Sequence, residues 1–386
     1  MIKGQIFLLF FLLFWYAIIQ GRGGGEMAST VPNNRQGGRK PAQKYKSLLV
    51  WQILLKRTDE NNGITVDEIV EHLKAYGITA ERRSIYRDIR DLQELLEADY
   101  DANIEDRERL GYEISYTRKT PSGFKITHRP YDFEDLRLLA ECINSAKFIS
   151  DSQAMSLREL IGSFCSDAQE ELLRDKTYNV SRVKTPNTEV IYTLATLNEA
   201  IKNNHKIEFT YLKYTVENRK QQTARRSGKR YVMSPYQLII SEGNYYAISY
   251  DSKWDKLIPY RIDRMKNVKE LQEPQEGYEL FRNTDMATYT QRVFGMFGGE
   301  RKRVSIRFTN DMIDTVVDRF GSGTDGNQVF YRPDDKNHFL LNADIEISNQ
   351  FFSWICGFRK KATIISPPEV IEDFKKFLED ITNRYE

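Results

Sequence analysis

Apolar positions in the first third of the chain recur with helical spacing. Leu48, Trp51 and Leu55 form one stripe over residues 44–57. Val66, Ile69, Val70 and Leu73 follow at i, i+3, i+4 and i+7, behind Thr65 and Glu68 at capping-box spacing. Gly77 ends that helix, and Thr79 is placed to cap a third that runs to about Glu97. Ile85, Ile89, Leu92 and Leu96 share one face of the third helix. Two helices, a short glycine-containing turn and another helix have the spacing of a helix-turn-helix. Ile104 to Tyr116 reads as a β-hairpin in the position of a wing, with Tyr112, Ile114 and Tyr116 alternating after Leu110-Gly111.

Helical periodicity returns over residues 132–175. Leu136, Leu139, Ala140 and Ile143 form one stripe, and Leu157, Leu160, Ile161 and Phe164 another, predicting a helical pair suited to a linker or a dimer contact. After a helix near 190–203 the period falls to two. Ile207, Phe209 and Tyr211 alternate, and further strands are predicted at Tyr231–Ile240, Tyr245–Tyr250 and Leu257–Ile262, the turn Ser241-Glu242-Gly243-Asn244 joining two of them. Short strands behind one helix suggest a small, strongly bent sheet or barrel. Residues 278–300 carry Tyr278, Phe281, Tyr289, Phe294 and Phe297, a connector docked by its aromatics. From residue 301 the order is β-α-β-β-α-β with a closing helix, a ferredoxin-like layer. Ser366-Pro367-Pro368-Glu369 opens that last helix with capping-box spacing and prolines.

The fold class expected is therefore α+β and multidomain. Its parts are an arm ending at 43, a winged helix-turn-helix at 44–128, a helical linker at 129–187, a barrel domain at 188–272, a connector at 273–300 and a C-terminal layer at 301–386. With 386 residues, one core is too small for the chain.

Charge narrows the function. Lys and Arg number 57 against 55 Asp and Glu, so nucleic-acid contact has to come from local patches. One such patch is the stretch from Met27 to Lys56, which has no acidic residue but carries Arg35, Arg39, Lys40, Lys44, Lys46 and Lys56. Its first part, 27–43, reads as a flexible basic arm. Another is the third helix. Arg83, Arg87 and Arg90 repeat at i, i+4 and i+7 opposite the apolar stripe, with Arg82, Ser84 and Tyr86 near the start. A recognition helix needs that division, one side buried and the other offering Arg to phosphates and guanine edges. Because Glu81, Asp88 and Asp91 are interspersed, a solvated charged face is the alternative. A third patch is the loop Glu217–Arg230, which carries Arg219, Lys220, Arg225, Arg226, Lys229 and Arg230.

Ahead of the arm, Ile6 to Ile19 is an uncharged apolar run after Lys3, shorter than the roughly 20 residues that span a bilayer. It ends on Ile18-Ile19-Gln20 rather than on small residues, and a glycine-rich stretch leads to Met27. We read Met27 as the true start and residues 1–26 as upstream sequence translated by mistake, with a signal peptide or short anchor as the alternatives. Three distant cysteines, Cys142, Cys165 and Cys356, form no disulfide framework and suit a reducing cytoplasm.

The middle region resembles a known family. Arg230-Tyr231-Val232-Met233-Ser234-Pro235-Tyr236, Asn244 to Asp251 and Tyr260-Arg261-Ile262-Asp263-Arg264-Met265 resemble the WYL domain, with Tyr245-Tyr246-Ala247 at the name triplet. Two of the three name residues are replaced, so the resemblance rests on the Ser-Pro-Tyr and Arg-x-Asp-Arg pieces. WYL domains have an Sm-like barrel, are usually fused to an N-terminal winged helix and sense a ligand. The stretch Arg83 to Ile89 looks like the recognition helix of such regulators, and the C-terminal layer is similar to their WCX-type extension, implicated in dimer contacts. The resemblance implies a pocket of Ser234, Tyr236, Tyr245, Tyr246, Arg261 and Arg264 facing an anionic ligand, a nucleotide or single-stranded nucleic acid. Arginine forks and tyrosine rings suit such a ligand independently. The structural alternative keeps Tyr246 and Tyr250 as core and pairs Arg261 or Arg264 with Asp263 or Asp251.

No catalytic pattern competes. His72, His128, His205 and His338 lie in four segments without HExxH or HxH spacing. No GxSxG is present, and Gly298-Gly299 lacks the Lys-Ser/Thr of a phosphate loop. No metal, cofactor or enzymatic activity is expected. The chain reads as a cytoplasmic, homodimeric, effector-responsive transcription factor that binds operator duplex, without a membrane partner if Met27 is the start. A single-strand nucleic-acid-binding accessory protein acting through the barrel is the rival.

Overall fold

The computed structural model describes residues 45–97, 111–119, 122–175, 183–217, 219, 221–286, 288–323 and 329–386. The leader, the basic arm, Lys220 and the 104–110 part of the expected hairpin lie outside them. The described residues divide into two compact units, one built from 45–53 with 66–94, the other from 54–65 with those from 95 on.

The first unit holds most of α1 (Lys46–Arg57), α2 (Val66–Ala75) and α3 (Arg82–Glu97). In α1 the buried apolar residues are Val50, Ile53 and Leu54, not the expected stripe, and Leu48 is exposed. The sequence Leu48-Leu49-Val50-Trp51 followed by Ile53-Leu54-Leu55 is apolar nearly all round, so periodicity alone cannot select its inner face. Ile69 and Leu73 of α2 and Ile85 and Ile89 of α3 are buried as their spacing predicts. Gly77 ends α2 at φ 73°, where Gly77 and Ile78 donate to the carbonyls of Lys74 and Leu73. The third helix opens at Arg82 rather than near Thr79, with Ser84 and Ile85 donating to the Glu81 carbonyl.

In the second unit β1 (Glu113–Thr117) and β2 (Gly123–His128) form an antiparallel pair, later than the hairpin expected at 104–116. Ile64 and Phe124 exchange backbone hydrogen bonds of 2.8 Å. Gly123 permits this approach, because a Cβ there would sit 2.2 Å from the Ile64 carbonyl oxygen. Three helices follow where a pair was expected: α4 (Phe133–Ser145), α5 (Asp151–Gly162) and α6 (Asp167–Asp175). They pack around Leu136, Ala140, Ile161 and Cys165.

Helix α7 (Val190–Asn203) precedes a six-stranded antiparallel sheet of β3 (His205–Lys213), β4 (Thr223–Ala224), β5 (Tyr231–Ser241), β6 (Asn244–Asp251), β7 (Lys256–Arg261) and β8 (Met265–Pro274). The order is β4-β3-β5-β6-β7, with β8 also on β3. No ladder joins β7 to β8 among the described residues, so the expected barrel is not closed. Its core joins Leu197 and Ala200 of α7 to Ile207, Phe209, Met233, Ala247, Ile262 and Met265. The connector helices α8 (Tyr278–Arg282) and α9 (Tyr289–Arg292) lead onward, and Tyr289, Val293 and Met296 bury against Tyr246 and Ile248 of β6.

The C-terminal part is β9 (Glu300–Thr309), α10 (Ile313–Phe320), β10 (Phe330–Pro333), β11 (His338–Ile347), α11 (Asn349–Gly357), β12 (Ala362–Ser366) and α12 (Pro368–Thr382). Its sheet is antiparallel in the order β10-β11-β9-β12, over a core that includes Phe308, Phe320, Phe351 and Val370. The expected capping box at Ser366 does not form. Ser366 still belongs to β12, Pro367 is the N-cap, and Glu369 reaches Lys302 at 3.4 Å. The whole is an α+β chain with several antiparallel sheets. No described helix is long and apolar enough to cross a membrane.

Candidate functional site

Two surfaces carry the residues singled out by the sequence. On α3, Ile85 and Ile89 are buried while Arg82, Arg83, Tyr86, Arg87 and Arg90 are exposed. The helix is fixed from beneath by Asp88. Its buried carboxylate pairs with Lys46 at 2.8 Å and accepts from the Ser47 hydroxyl at 3.0 Å. Ser84 is half-buried and accepts from Lys46, which makes it part of that support rather than of the outer face. Arg82 pairs with Asp67 at 3.1 Å, an exposed pair of small worth. Arg83, Arg87 and Arg90 make no ion pair among the described residues, and all three are exposed.

The other surface lies on the six-stranded sheet. Phe209, Tyr211, Tyr231 and Tyr260 form a buried ring cluster, with Phe209 and Tyr231 stacked at 5.5 Å and Tyr211 edge-on to Tyr260 at 5.4 Å. Burial and the nearby Asp251 carboxylate push the Tyr260 phenol up, and burial raises Tyr211. Both rings therefore stay neutral. Around them stand arginines. Arg225 lies 5.7 Å from the Tyr211 ring centre and Arg226 4.6 Å from that of Tyr231. The Tyr211 hydroxyl accepts from the Arg261 backbone N–H at 3.3 Å.

Arg261 takes the structural alternative. Its guanidinium forks onto Asp263 at 2.9 and 2.8 Å. Burial works against its charge, but the Asp263 hydrogen bonds and charge outweigh that and raise its pKa. Arg264 differs, because its Nε is buried with no hydrogen-bond partner among the described residues. Both amide atoms of Gln222, just before β4, are likewise buried and unpaired. The Arg264 Nε and Gln222 Nε2 are donors without acceptors and the Gln222 Oε1 an acceptor without a donor, and Arg264 lies close enough to Tyr211 and Tyr246 to act on their titration.

The six residues expected to share a pocket fall into separate groups. Tyr246 stands opposite Arg261 across the β6–β7 ladder, and Arg264 acts on the same phenol. Tyr245 points to the other face, 5.2 Å from Phe148. Ser234 stands opposite Tyr250, four positions along β6 from Tyr246, or about 13 Å at strand rise. A bulge between Pro235 and Gln237 turns Tyr236 out of the alternation. Tyr236 donates to the Glu276 carbonyl at 2.6 Å and stacks on Phe281 at 4.6 Å, while Ser234 accepts from the Glu276 N–H at 2.9 Å. Burial carries the Tyr236 phenol to about 12. The Ser-Pro-Tyr piece thus holds the strap 275–278 that leads into the connector.

Residues 192–270 match the family model of the WYL domain, and residues 300–381 that of the WCX domain. The chain carries a WYL domain. Two solved structures are similar to 96% of the chain. Proteasome accessory factor B/C (PafBC) of Arthrobacter aurescens is 13% identical with a TM-score of 0.25, and the chain spans 53% of its length. A CRISPR Cas-related protein is 12% identical with a TM-score of 0.32, and the chain spans 91% of it. No curated protein matches the chain.

Within the WYL domain, Tyr211, Tyr231 and Tyr260 were legible only as strand residues. Their gathering depends on β3, β5 and β7 meeting in one core, which no local pattern encodes. Strand β8, a further part of the domain, lacks the signal altogether: only Met265 of its ten residues is buried. No group of His, Cys, Asp and Glu among the described residues is placed to hold a metal ion.

Proposed function

We propose that the chain is a ligand-responsive, DNA-binding transcriptional regulator, in which residues 44–128 form a winged helix on operator duplex and the WYL domain senses an anionic effector. The observation that carries it is the α3 face, Arg83, Arg87 and Arg90 outward above buried Ile85 and Ile89, on a chain that also holds WYL and WCX domains. The two-stranded sheet after α3 supports the wing, and the bent sheet behind α7 supports an Sm-like barrel with one open seam. Two-fold operators want two recognition helices, so the protein acts as a homodimer. It works in the cytoplasm, without catalysis or cofactor. The test is binding of residues 27–386 to fluorescent duplexes from its own upstream region. Sequence-selective binding lost in Arg87→Ala supports the reading, and equal binding of unrelated duplexes sinks it.

The rival, a single-strand-binding accessory protein, draws on Arg225 and Arg226 beside the tyrosine cluster. Its signature is salt-sensitive single-strand affinity that survives replacement of Arg83, Arg87 and Arg90 by alanine.

A further inference from the structure

Tyr211 and Tyr231 are the rings on which a planar ligand would stack, and both are covered. Tyr231 already stacks with Phe209 at 5.5 Å, which leaves it one face, and the Arg226 guanidinium lies over the ring at 4.6 Å. Arg225 lies over Tyr211 at 5.7 Å. Both tyrosines are buried, whereas both arginines are exposed. The rings are therefore shielded by groups that themselves remain in water.

The backbone beneath these arginines is strained. Arg226 has φ 49° and ψ 41°, Ser227 φ 53° and ψ 33°, and Gly228 follows at φ 82°. Two consecutive non-glycine residues in the left-handed region crowd Cβ against the carbonyl. Such a conformation persists only where its surroundings hold it. Among the described residues, the contacts within the turn include the two guanidinium–ring contacts and a hydrogen bond from the Lys229 N–H to the Arg226 carbonyl at 3.1 Å.

We infer that the turn Arg225–Gly228 is a latch on the WYL site, opened by a ligand that carries both a phosphate and a planar base. The inference rests on the anion-sensing reading of that site. Phosphate oxygens draw the guanidiniums off the rings by stronger, charge-assisted hydrogen bonds, and the base takes the ring face that is uncovered. An uncharged nucleoside has no group to displace Arg226. Inorganic phosphate gains the arginines but no ring. The ligand class is thus a nucleotide or a strand end, and the arginines serve as gate and as phosphate contact in turn.

Titration calorimetry of the full chain with thymidine, thymidine 5′-monophosphate and inorganic phosphate tests this, with urea midpoints to verify folding. Ser227→Gly removes no ligand contact but relieves the closed turn, so nucleotide affinity should fall about threefold. Arg226→Ala uncovers Tyr231, so thymidine should bind several-fold more tightly while phosphate weakens. Nucleotide binding that both variants leave unchanged overturns the latch alone. If the unaltered chain binds neither nucleotide nor phosphate, the sensing reading and the latch fall together.

Discussion

The Arg129 guanidinium donates to the Leu55 carbonyl at 2.7 Å, in the last turn of α1, and the next residue of that helix returns the favour. Lys56 donates to the carbonyls of Gly162 and Cys165 at 3.2 and 3.3 Å, where α5 ends. Arg129 also reaches the carbonyls of Thr58 and Phe164 at 3.0 and 3.1 Å. The last carbonyls of a helix have no partner within it, and each cation supplies one for the other's neighbourhood. The end of α1 and the linker helices are thereby tied through buried charge, and burial lowers the Lys56 pKa even with Glu170 3.9 Å away.

Replacing Arg129 by Ala should cost about 2–4 kcal/mol, since it takes the guanidinium from the Leu55 and Thr58 carbonyls in a buried place, the Phe164 carbonyl keeping the Tyr131 hydroxyl at 2.8 Å. Lysine at that position should recover only part, lacking the fork. Urea denaturation of the three proteins measures this, and equal midpoints would contradict the capping role.

A pH effect follows from Asp59. It is buried, accepts from the Ser166 hydroxyl at 2.6 Å and from the Asn61 and Asn62 N–H groups at 2.9 Å. Burial opposes its charge, but these hydrogen bonds prevail and hold its pKa below the usual carboxylate range. A depressed pKa contributes stability above that range and loses it as pH falls through the folded value. The stability gap between the native chain and Asp59→Asn should be full at pH 7 and shrink below about pH 4. A gap of the same size at pH 7 and pH 3 would refute the assignment.

Gly277 sits at φ 79°, and a Cβ there would lie 2.3 Å from the Tyr250 ring. Gly277→Ala should therefore destabilise by about 1–3 kcal/mol through strain and overlap. Thermal unfolding tests it, with Gly228→Ala, where a Cβ meets nothing within 4 Å, as the strain-only comparison.

How much of this was legible depended on range. The apolar stripes of α2 and α3 repeat within the helix itself, so Ile69, Leu73, Ile85 and Ile89 were readable as core. The α1 face was not, because its residues are apolar on nearly all sides. The polar edge strand β8 and the short acidic helix α6 gave no apolar period to read. At the site, the arginines and tyrosines were visible as residue types. Their division was not, since Tyr236 and Ser234 are directed by the main chain of Glu276, some forty residues on, and by a bulge that breaks the strand alternation.

Arginines of the WYL domain should separate under mutation. Asp263 is 3% exposed, so Arg261→Ala leaves a buried carboxylate unpaired and should cost about 3 kcal/mol of stability. Arg264→Ala removes an unpartnered donor and should leave the unfolding midpoint nearly unchanged while weakening phosphate binding. Comparable destabilisation by both would show that Arg264 serves the fold.

The most direct measurement is fluorescence anisotropy of the 27–386 protein on duplexes from its own upstream region, with and without single-stranded competitor. Tight, sequence-selective duplex binding that the competitor modulates is expected, and Arg87→Ala should weaken it by about 1–3 kcal/mol. Operator affinity unchanged in Arg87→Ala, or single-strand binding with no duplex preference, would contradict DNA recognition by α3.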